Sequence, residues 1–88
     1  MKIFSIRDAR AEGYNRPFFA LTRAMAIREI QAGLSEDIPM AKFASDFSIW
    51  EIGSFDSSTG HVEGCEPHHL IEVGELVDVK EEPPGAGV

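Results

Sequence analysis

The chain has 88 residues, a formal net charge of −7 and a hydrophobic content of 43%. A chain this short forms one small domain and buries only about 60% of the surface that it exposes when unfolded, so a partner or a staple would add to its stability. Its single cysteine, Cys65, excludes an internal disulfide and therefore a secreted disulfide-rich scaffold. No apolar run of about 18 residues is present to span a bilayer, and no leader peptide is recognisable, so we expect a soluble, unexported protein without membrane contact.

The charge is divided unevenly between the two halves of the chain. Residues 1–42 contain seven basic and five acidic residues, whereas residues 43–88 contain one basic and ten acidic residues. This asymmetry indicates either that the basic half meets nucleic acid, or that its arginines face the carboxylates of the acidic half within the fold. Composition does not distinguish these two interpretations.

The first half predicts a strand, an extended connection and a helix. Residues 2–7 alternate, with Phe4 and Ile6 on one face, which is typical of a strand. Residues 8–19 contain glycine, asparagine and proline and predict a loop, in which residues 14–19 should form an extended, partly exposed connection. Thr22 is a suitable N-cap for a helix. The apolar stripe of that helix is Ala24, Ile27, Ile30 and Leu34, with Gly33 available to end it and a loop or single short turn over 35–46.

The second half predicts a hairpin and a last strand. Residues 47–55 form the strongest strand and are apolar on both faces. We expect Phe47, Ile49 and Phe55 on one face, and Trp50 and Ile52 on the other. Residues 56–60 are turn formers, so a β-hairpin follows, with extension resuming at 61–63. Four apolar residues of the segment 70–79 occupy odd-numbered positions, namely Ile71, Val73, Val77 and Val79. This spacing favours a strand, although a helix also fits.

These elements together predict an α+β fold, in which a small antiparallel sheet of three to four strands carries one main helix packed on one face. The domain spans residues 1–79, and residues 80–88 form a disordered tail of acidic, proline and glycine residues. Because the strand over 47–55 has two apolar faces and the core is small, we expect a homo-oligomer in which Trp50 and Ile52 meet a second copy.

No group of residues predicts an enzyme. The chain lacks a nucleophile elbow and a glycine-rich phosphate loop, so we predict no catalytic residue and no cofactor. One cluster has the chemistry of metal ligands, namely His61, Cys65, His68 and His69. All four lie within nine residues around Pro67, which is an unfavourable spacing for wrapping one ion, so we predict exposed side chains and no metal site.

Basic residues are interleaved with aromatic residues between positions 7 and 28. Arginine binds phosphate with two parallel hydrogen bonds, and aromatic rings stack on unpaired bases. The pattern predicts a nucleic-acid-binding surface formed by Arg7, Arg10, Tyr14, Arg16, Phe18, Phe19, Arg23 and Arg28. The alternative is an ordinary solvated arginine face with one of the two phenylalanines in the core.

Three blocks of the chain resemble a known family. Residues 1–12 (MKIFSIRDARAE), 16–28 (RPFFALTRAMAIR) and 46–56 (DFSIWEIGSFD), then Thr59-Gly60, are similar in the same order to the small nonstructural protein of gokushovirus-type microviruses, which are single-stranded DNA phages. Residues 64–88 depart from that family. The resemblance implies a protein made in the host bacterial cytoplasm, absent from the mature virion and described as DNA-binding, and it transfers no functional residue.

Two functions therefore stand as hypotheses. The first is a DNA-binding accessory protein that acts on single-stranded DNA during its synthesis and packaging. The second is a homo-oligomeric interaction module that acts on the phage replication initiator or on capsid proteins without touching DNA.

Overall fold

The computed structural model of the chain describes the backbone of residues 1–81 and the side chains of residues 1–77. It shows an α+β fold with five antiparallel strands and three short helices, so the predicted class is confirmed, whereas a single main helix is not observed. The strands are β1 (Lys2–Asp8), β2 (Gly13–Tyr14), β3 (Phe18–Ala20), β4 (Phe47–Phe55) and β5 (Val62–Glu72). The helices are α1 (Arg23–Gly33), α2 (Ile38–Lys42) and α3 (Val73–Glu81), and a 3₁₀ turn spans Ala44–Asp46.

The strand order is β2-β1-β4-β5, and β3 pairs with β1 on the same side as β2. Thus β2 and β3 form one interrupted edge along β1. Arg7 lies opposite Tyr14 and Phe4 lies opposite Phe18, so the edge contains one extra residue between the two pairs. Pro17 stands at this interruption, where its missing N–H costs no ladder hydrogen bond. The loop expected over 8–19 therefore contains two short paired segments, Gly13–Tyr14 and the start of β3 at Phe18, because β1 offers it a free edge.

The helices cover one face of the sheet, and the core lies between the two layers. Phe4, Ile6 and Ile49 point into this layer and are buried. The helical layer and the chain leading into it contribute Ala20, Ala26, Leu34, Ala44, Val73 and Leu76. Phe18 and Leu70 pack against both clusters and join them.

Helix α1 begins where the sequence predicts. The Oγ1 atom of Thr22 accepts a hydrogen bond from the backbone N–H of Met25 at 3.1 Å, and the helix ends at Gly33. The predicted apolar stripe is wrong at Ala24, which is exposed; Ala26 is fully buried instead. The shift follows from docking, because α1 turns Ala26 toward Phe4 and Ala20.

A bulge in β4 changes which residues share a face. Phe4 lies opposite Glu51 while Ile3 lies opposite Gly53, so Ile52 is an extra residue. Beyond it the alternation is reversed, and Phe55 lies on the face of Trp50 rather than with Ile49 as expected. Simple alternation did not reveal this, because a bulge inserts one residue without changing the composition of the strand.

The β4–β5 hairpin is confirmed. Its loop is closed by the N–H of Gly60, which donates to the carbonyl of Asp56 at 2.7 Å, with Gly60 at a φ of 80°. The Oδ1 atom of Asp56 accepts from the N–H and the hydroxyl of Ser58, and these hydrogen bonds lower the pKa of Asp56. Turn chemistry is local, which is why the sequence predicts this loop correctly.

The expected last strand over 70–79 is wrong beyond Glu72, where α3 begins. Val73, Leu76 and Val77 are spaced by three and four residues, and in a helix they all face the core. In this short segment the apolar residues fit both the period-two spacing of a strand and the three-and-four spacing of a helix, so periodicity alone does not distinguish the two elements. Lys80 and Glu81 belong to α3, and the rest of the predicted tail lies outside the described residues.

Candidate nucleic-acid interface

One face of the sheet carries no helix within the part of the chain that the structure describes, and we call it the open face. On β1 it bears Ile3, Ser5 and Arg7, which alternate with the core residues Phe4 and Ile6. Every predicted functional residue can be placed relative to this face.

Three ring side chains from three strands meet on the open face, and we call Tyr14, Trp50 and His69 the aromatic row. The rings of Tyr14 and Trp50 have centroids 6.1 Å apart at an interplanar angle of 81°. The rings of Trp50 and His69 have centroids 5.2 Å apart at 82°. Strand β1 lies between β2 and β4, so the first contact passes over β1.

Hydrogen bonds hold the aromatic row in place. The indole N–H of Trp50 donates to the hydroxyl of Ser48 at 2.8 Å. His69 Nε2 lies 2.6 Å from Glu72 Oε2. Ser5 lies opposite Trp50, is fully buried, and donates its hydroxyl proton to the carbonyl of Asn15 at 2.6 Å. The row is therefore a preformed surface with a satisfied polar layer beneath it.

Arg7 lies beside the aromatic row, and Arg16 follows Tyr14 of that row in the chain. Arg7 is on the open face, with Tyr14 opposite it on one side and Ser48 on the other. Arg16 is exposed in the interruption between β2 and β3, two residues after Tyr14. Neither makes an ion pair with any residue that the structure describes. Their charges are available to an anionic ligand.

The other three arginines lie elsewhere. Arg23 Nε is 2.6 Å from Glu51 Oε1, on the helix-covered side. Arg10, in the turn after β1, has its guanidinium nitrogen 3.9 Å from Asp46 Oδ2. It also lines an open pocket of about 240 Å³, together with Phe43 and Phe47. Arg28 is exposed on α1. The five arginines thus do not share one surface. Arg10 and Arg23 face carboxylates of the acidic half, as one interpretation of the charge asymmetry expects. The other three make no ion pair within the described residues, so they fit the interpretation in which the basic half meets nucleic acid.

The two predicted phenylalanines point to opposite faces. Phe18 lies opposite Phe4 in the core, with ring centroids 5.7 Å apart, so its ring is not presented to a ligand. Phe19 lies on the open face, where its ring meets that of Phe55 at 5.6 Å. Met1 and Val62 adjoin Phe55, and we call Met1, Phe19, Phe55 and Val62 the apolar end.

Trp50 and Ile52, the predicted oligomer interface, are both half-buried. Trp50 is also the centre of the aromatic row, a place that the basic N-terminal pattern does not indicate. The sequence indicates His69 only as a possible metal ligand. The sequence does show an aromatic residue, Trp50, in the middle of a strand with two apolar faces. Its ring neighbours come from strands far apart in the chain, so only the pairing register identifies them.

The cluster of His61, Cys65, His68 and His69 does not form a metal centre among the residues that the structure describes. Cys65, His68 and His69 lie on β5, and three β5 residues, Cys65–Pro67, oppose Ile52 alone on β4. Pro67 stands in this irregular stretch. The chain is extended here, so it does not wrap around a common point.

None of the helices in the described part of the chain is long and apolar enough to cross a membrane. No curated protein and no solved structure matches the chain. A family model for the phage ORF5 protein matches residues 1–76, which include all five strands, the aromatic row and the five arginines discussed above. Because this match spans most of the chain, the protein belongs to the phage ORF5 protein family.

Proposed function

We propose that the protein is a nonstructural accessory protein of a gokushovirus-type phage that binds DNA in the cytoplasm of the infected bacterium, during single-stranded DNA synthesis and packaging. Its membership of a phage protein family and the three sequence blocks described above support the phage assignment. We propose no enzymatic activity and no cofactor.

The observation that carries DNA binding is the pair Arg7 and Arg16. Both are free of ion pairs within the described residues; Arg7 lies opposite Tyr14 of the aromatic row, and Arg16 is exposed two residues after Tyr14. Arginine binds phosphate with charge-assisted hydrogen bonds, and an unpaired guanidinium beside exposed rings suits a nucleic-acid backbone. Arg23 has a different role, because Glu51 already binds its guanidinium.

The test is a titration of fluorescently labelled DNA at several salt concentrations. We expect Arg7→Ala and Arg16→Ala each to weaken binding and to lower the slope of log affinity against log salt by about 0.7, the value for one phosphate contact on a single strand. Arg28→Ala is the matched control, since it removes from α1 an exposed arginine that makes no ion pair with any described residue, and it should change neither quantity. Absence of any binding at low salt would refute the proposal.

A second candidate function is a homo-oligomeric module that acts on phage replication or capsid proteins. The apolar end favours it, because Met1, Phe19 and Val62 are 50%, 46% and 59% exposed. A two-fold axis would place the same patch of each copy against the other and bury both. A strict monomer in sedimentation at high concentration would exclude this candidate.

In the sedimentation experiment, single substitutions distinguish a specific dimer interface from nonspecific association. Phe19→Ser should dissociate the dimer. Ile38→Ser is the control, because Ile38 is 72% exposed on α2, away from the sheet, and its loss should leave the dimer intact. Co-purification of the wild-type chain with the replication initiator, in the absence of DNA, would favour the module over direct DNA contact.

A further inference from the structure

We propose that the aromatic row, Tyr14, Trp50 and His69, is a stacking site for the unpaired bases of single-stranded DNA. The inference rests on the DNA-binding function proposed above and assigns it a surface and a form of DNA. Two of the three residues, Trp50 and His69, lie outside the basic N-terminal region that the sequence indicates.

The first argument is the arrangement of the rings. Tyr14, Trp50 and His69 come from β2, β4 and β5 and extend across the sheet in one row, at centroid distances of 6.1 and 5.2 Å. An antiparallel sheet with aromatic residues on an uncovered face can present them to bases that have been splayed out of a helix. Stacking needs only a flat π surface, so such a row accepts different bases.

The second argument is charge complementarity. Arg7 lies on β1 opposite Tyr14 of the row, with Ser48 opposite it on β4, and Arg16 follows Tyr14 along the chain. No carboxylate of the described residues pairs with either of them. The acidic residue at the other end of the row, Glu72, is already hydrogen-bonded to His69. A ligand that combines flat apolar groups with regularly spaced negative charges fits this pattern, and single-stranded DNA is such a ligand.

The third argument concerns the form of the DNA. In a duplex the faces of the bases are covered by their neighbours, and proteins read the edges by inserting a helix or a ribbon into a groove. A row of rings lying across a sheet reaches into no groove, whereas it can contact the faces of unpaired bases. Because Ser48 and Glu72 already hold two of the rings, little order has to be gained on binding.

The experiment uses Trp50 as its own probe, since it is the only tryptophan of the chain. The full-length protein is titrated with a 12-nucleotide oligothymidylate and, separately, with a duplex of the same length. We expect saturable quenching of Trp50 fluorescence by the single strand and at least tenfold weaker binding of the duplex. Equal or tighter binding of the duplex would overturn the inference.

Variants then test the flanking rings, with affinity measured from the anisotropy of a labelled oligonucleotide. We expect Tyr14→Ala and His69→Ala each to weaken binding by about 5- to 100-fold, the usual effect of removing one stacking partner. Tyr14→Phe should bind like the wild type, because it keeps the ring. Phe43→Ala is the control, since Phe43 is 50% exposed on the helical side of the molecule.

The outcomes separate this inference from the proposed function. If the oligonucleotide binds but Trp50 fluorescence does not change and both alanine variants bind normally, stacking on the aromatic row is wrong while DNA binding stands. If no DNA of either form binds, the proposed function fails and the inference fails with it. Should an alanine variant not fold, the wild-type fluorescence titration still decides the question, since it uses no variant.

Discussion

Glu51 is the residue at which the basic and acidic halves of the chain meet. Its carboxylate lies 2.6 Å from Arg23 Nε and 3.4 Å from Lys2 Nζ. Burial acts to raise the pKa of Glu51, but hydrogen bonds and charge attraction from Arg23 and Lys2 outweigh it, so the pKa lies below its ordinary value of 4.5. A carboxyl group with a lowered pKa stabilises the fold above its unfolded pKa, and this contribution is lost as the pH falls through the folded value.

We therefore predict that Glu51→Gln lowers the free energy of unfolding at pH 7 by about 0.5–1 kcal/mol, the usual size for a partly exposed ion pair. At low pH, below the lowered pKa of Glu51, the wild-type carboxyl group becomes protonated, and the variant and the wild type should approach the same stability. Urea unfolding at both pH values measures this. Glu36→Gln, an exposed residue outside the ion pairs, is the control; an equal loss at both pH values would contradict the electrostatic explanation.

Gly53 is needed because two backbones approach closely at the β4 bulge. A Cβ atom at this position would lie 2.5 Å from the carbonyl oxygen of Glu63 and 3.2 Å from the Cα of Gly64. Both neighbours are backbone atoms of the paired strand, so they cannot move without opening the hairpin. No other residue type fits without distortion of β4 or β5.

Gly53→Ala should consequently lower the free energy of unfolding by about 1–3 kcal/mol, the range for forced overpacking. Gly33→Ala is the matched change, because nothing lies within 4 Å of its added methyl group. At the end of α1 that substitution should be neutral or stabilising by up to about 1 kcal/mol. Thermal unfolding of both variants compares them, and a similar loss in the two would mean that the close approach is not the cause.

At the scale of elements, α1 shows how far local chemistry determines a boundary. Thr22 caps the first turn through its hydroxyl, and no acidic residue of that turn supplements it. We predict that Thr22→Ala lowers the free energy of unfolding by about 1 kcal/mol. Thr22→Ser should retain most of this stability, since serine keeps the oxygen; circular dichroism during denaturation measures both. A serine variant as unstable as the alanine variant would indicate packing rather than capping.

Elements with local signals were predictable, and those defined by remote partners were not. The alternation of β1, the cap of α1 and the turn residues of the β4–β5 hairpin lie within a few neighbouring positions. In contrast, β2 and β3 are only two and three residues long, and they are strands only because β1 pairs with them. Likewise α3 is selected over a strand because Val73 and Leu76 fit between the sheet and α1.

At the scale of the whole molecule, the charge asymmetry is partly neutralised by the fold. Lys2, Arg10 and Arg23 of the basic half pair with Glu51 and Asp46 of the acidic half. The basic charges beside the aromatic row are not neutralised in this way by the described residues. The molecule thus combines a small cationic surface with a net charge of −7, so DNA should bind locally and against a general repulsion.

This repulsion is measurable. Glu63 and Glu66 are exposed on β5, the edge strand that also carries His69. We predict that Glu63→Gln with Glu66→Gln tightens DNA binding at low salt by roughly twofold per charge, the Coulomb energy of unit charges about 10 Å apart in water. The gain should vanish at high salt, where the charges are screened. Glu29→Gln on α1 should have a smaller effect, and an equal gain from it would mean that only net charge matters.

The sequence alone determined the fold class, the first strand, the start of α1, the hairpin, and the basic and aromatic character of the N-terminal half, because all of these depend on neighbouring residues. It also carried the family resemblance. Only the tertiary structure decided which rings and charges lie together. The pairing register, with an irregularity in the β4–β5 pairing between Ile49 and Trp50, brings Tyr14, Trp50 and His69 into one row. The packing of α1 over the sheet places Arg23 beside Glu51, whereas Arg7 and Arg16 make no ion pair within the described residues. Register and packing are long-range properties, so no local pattern contains them.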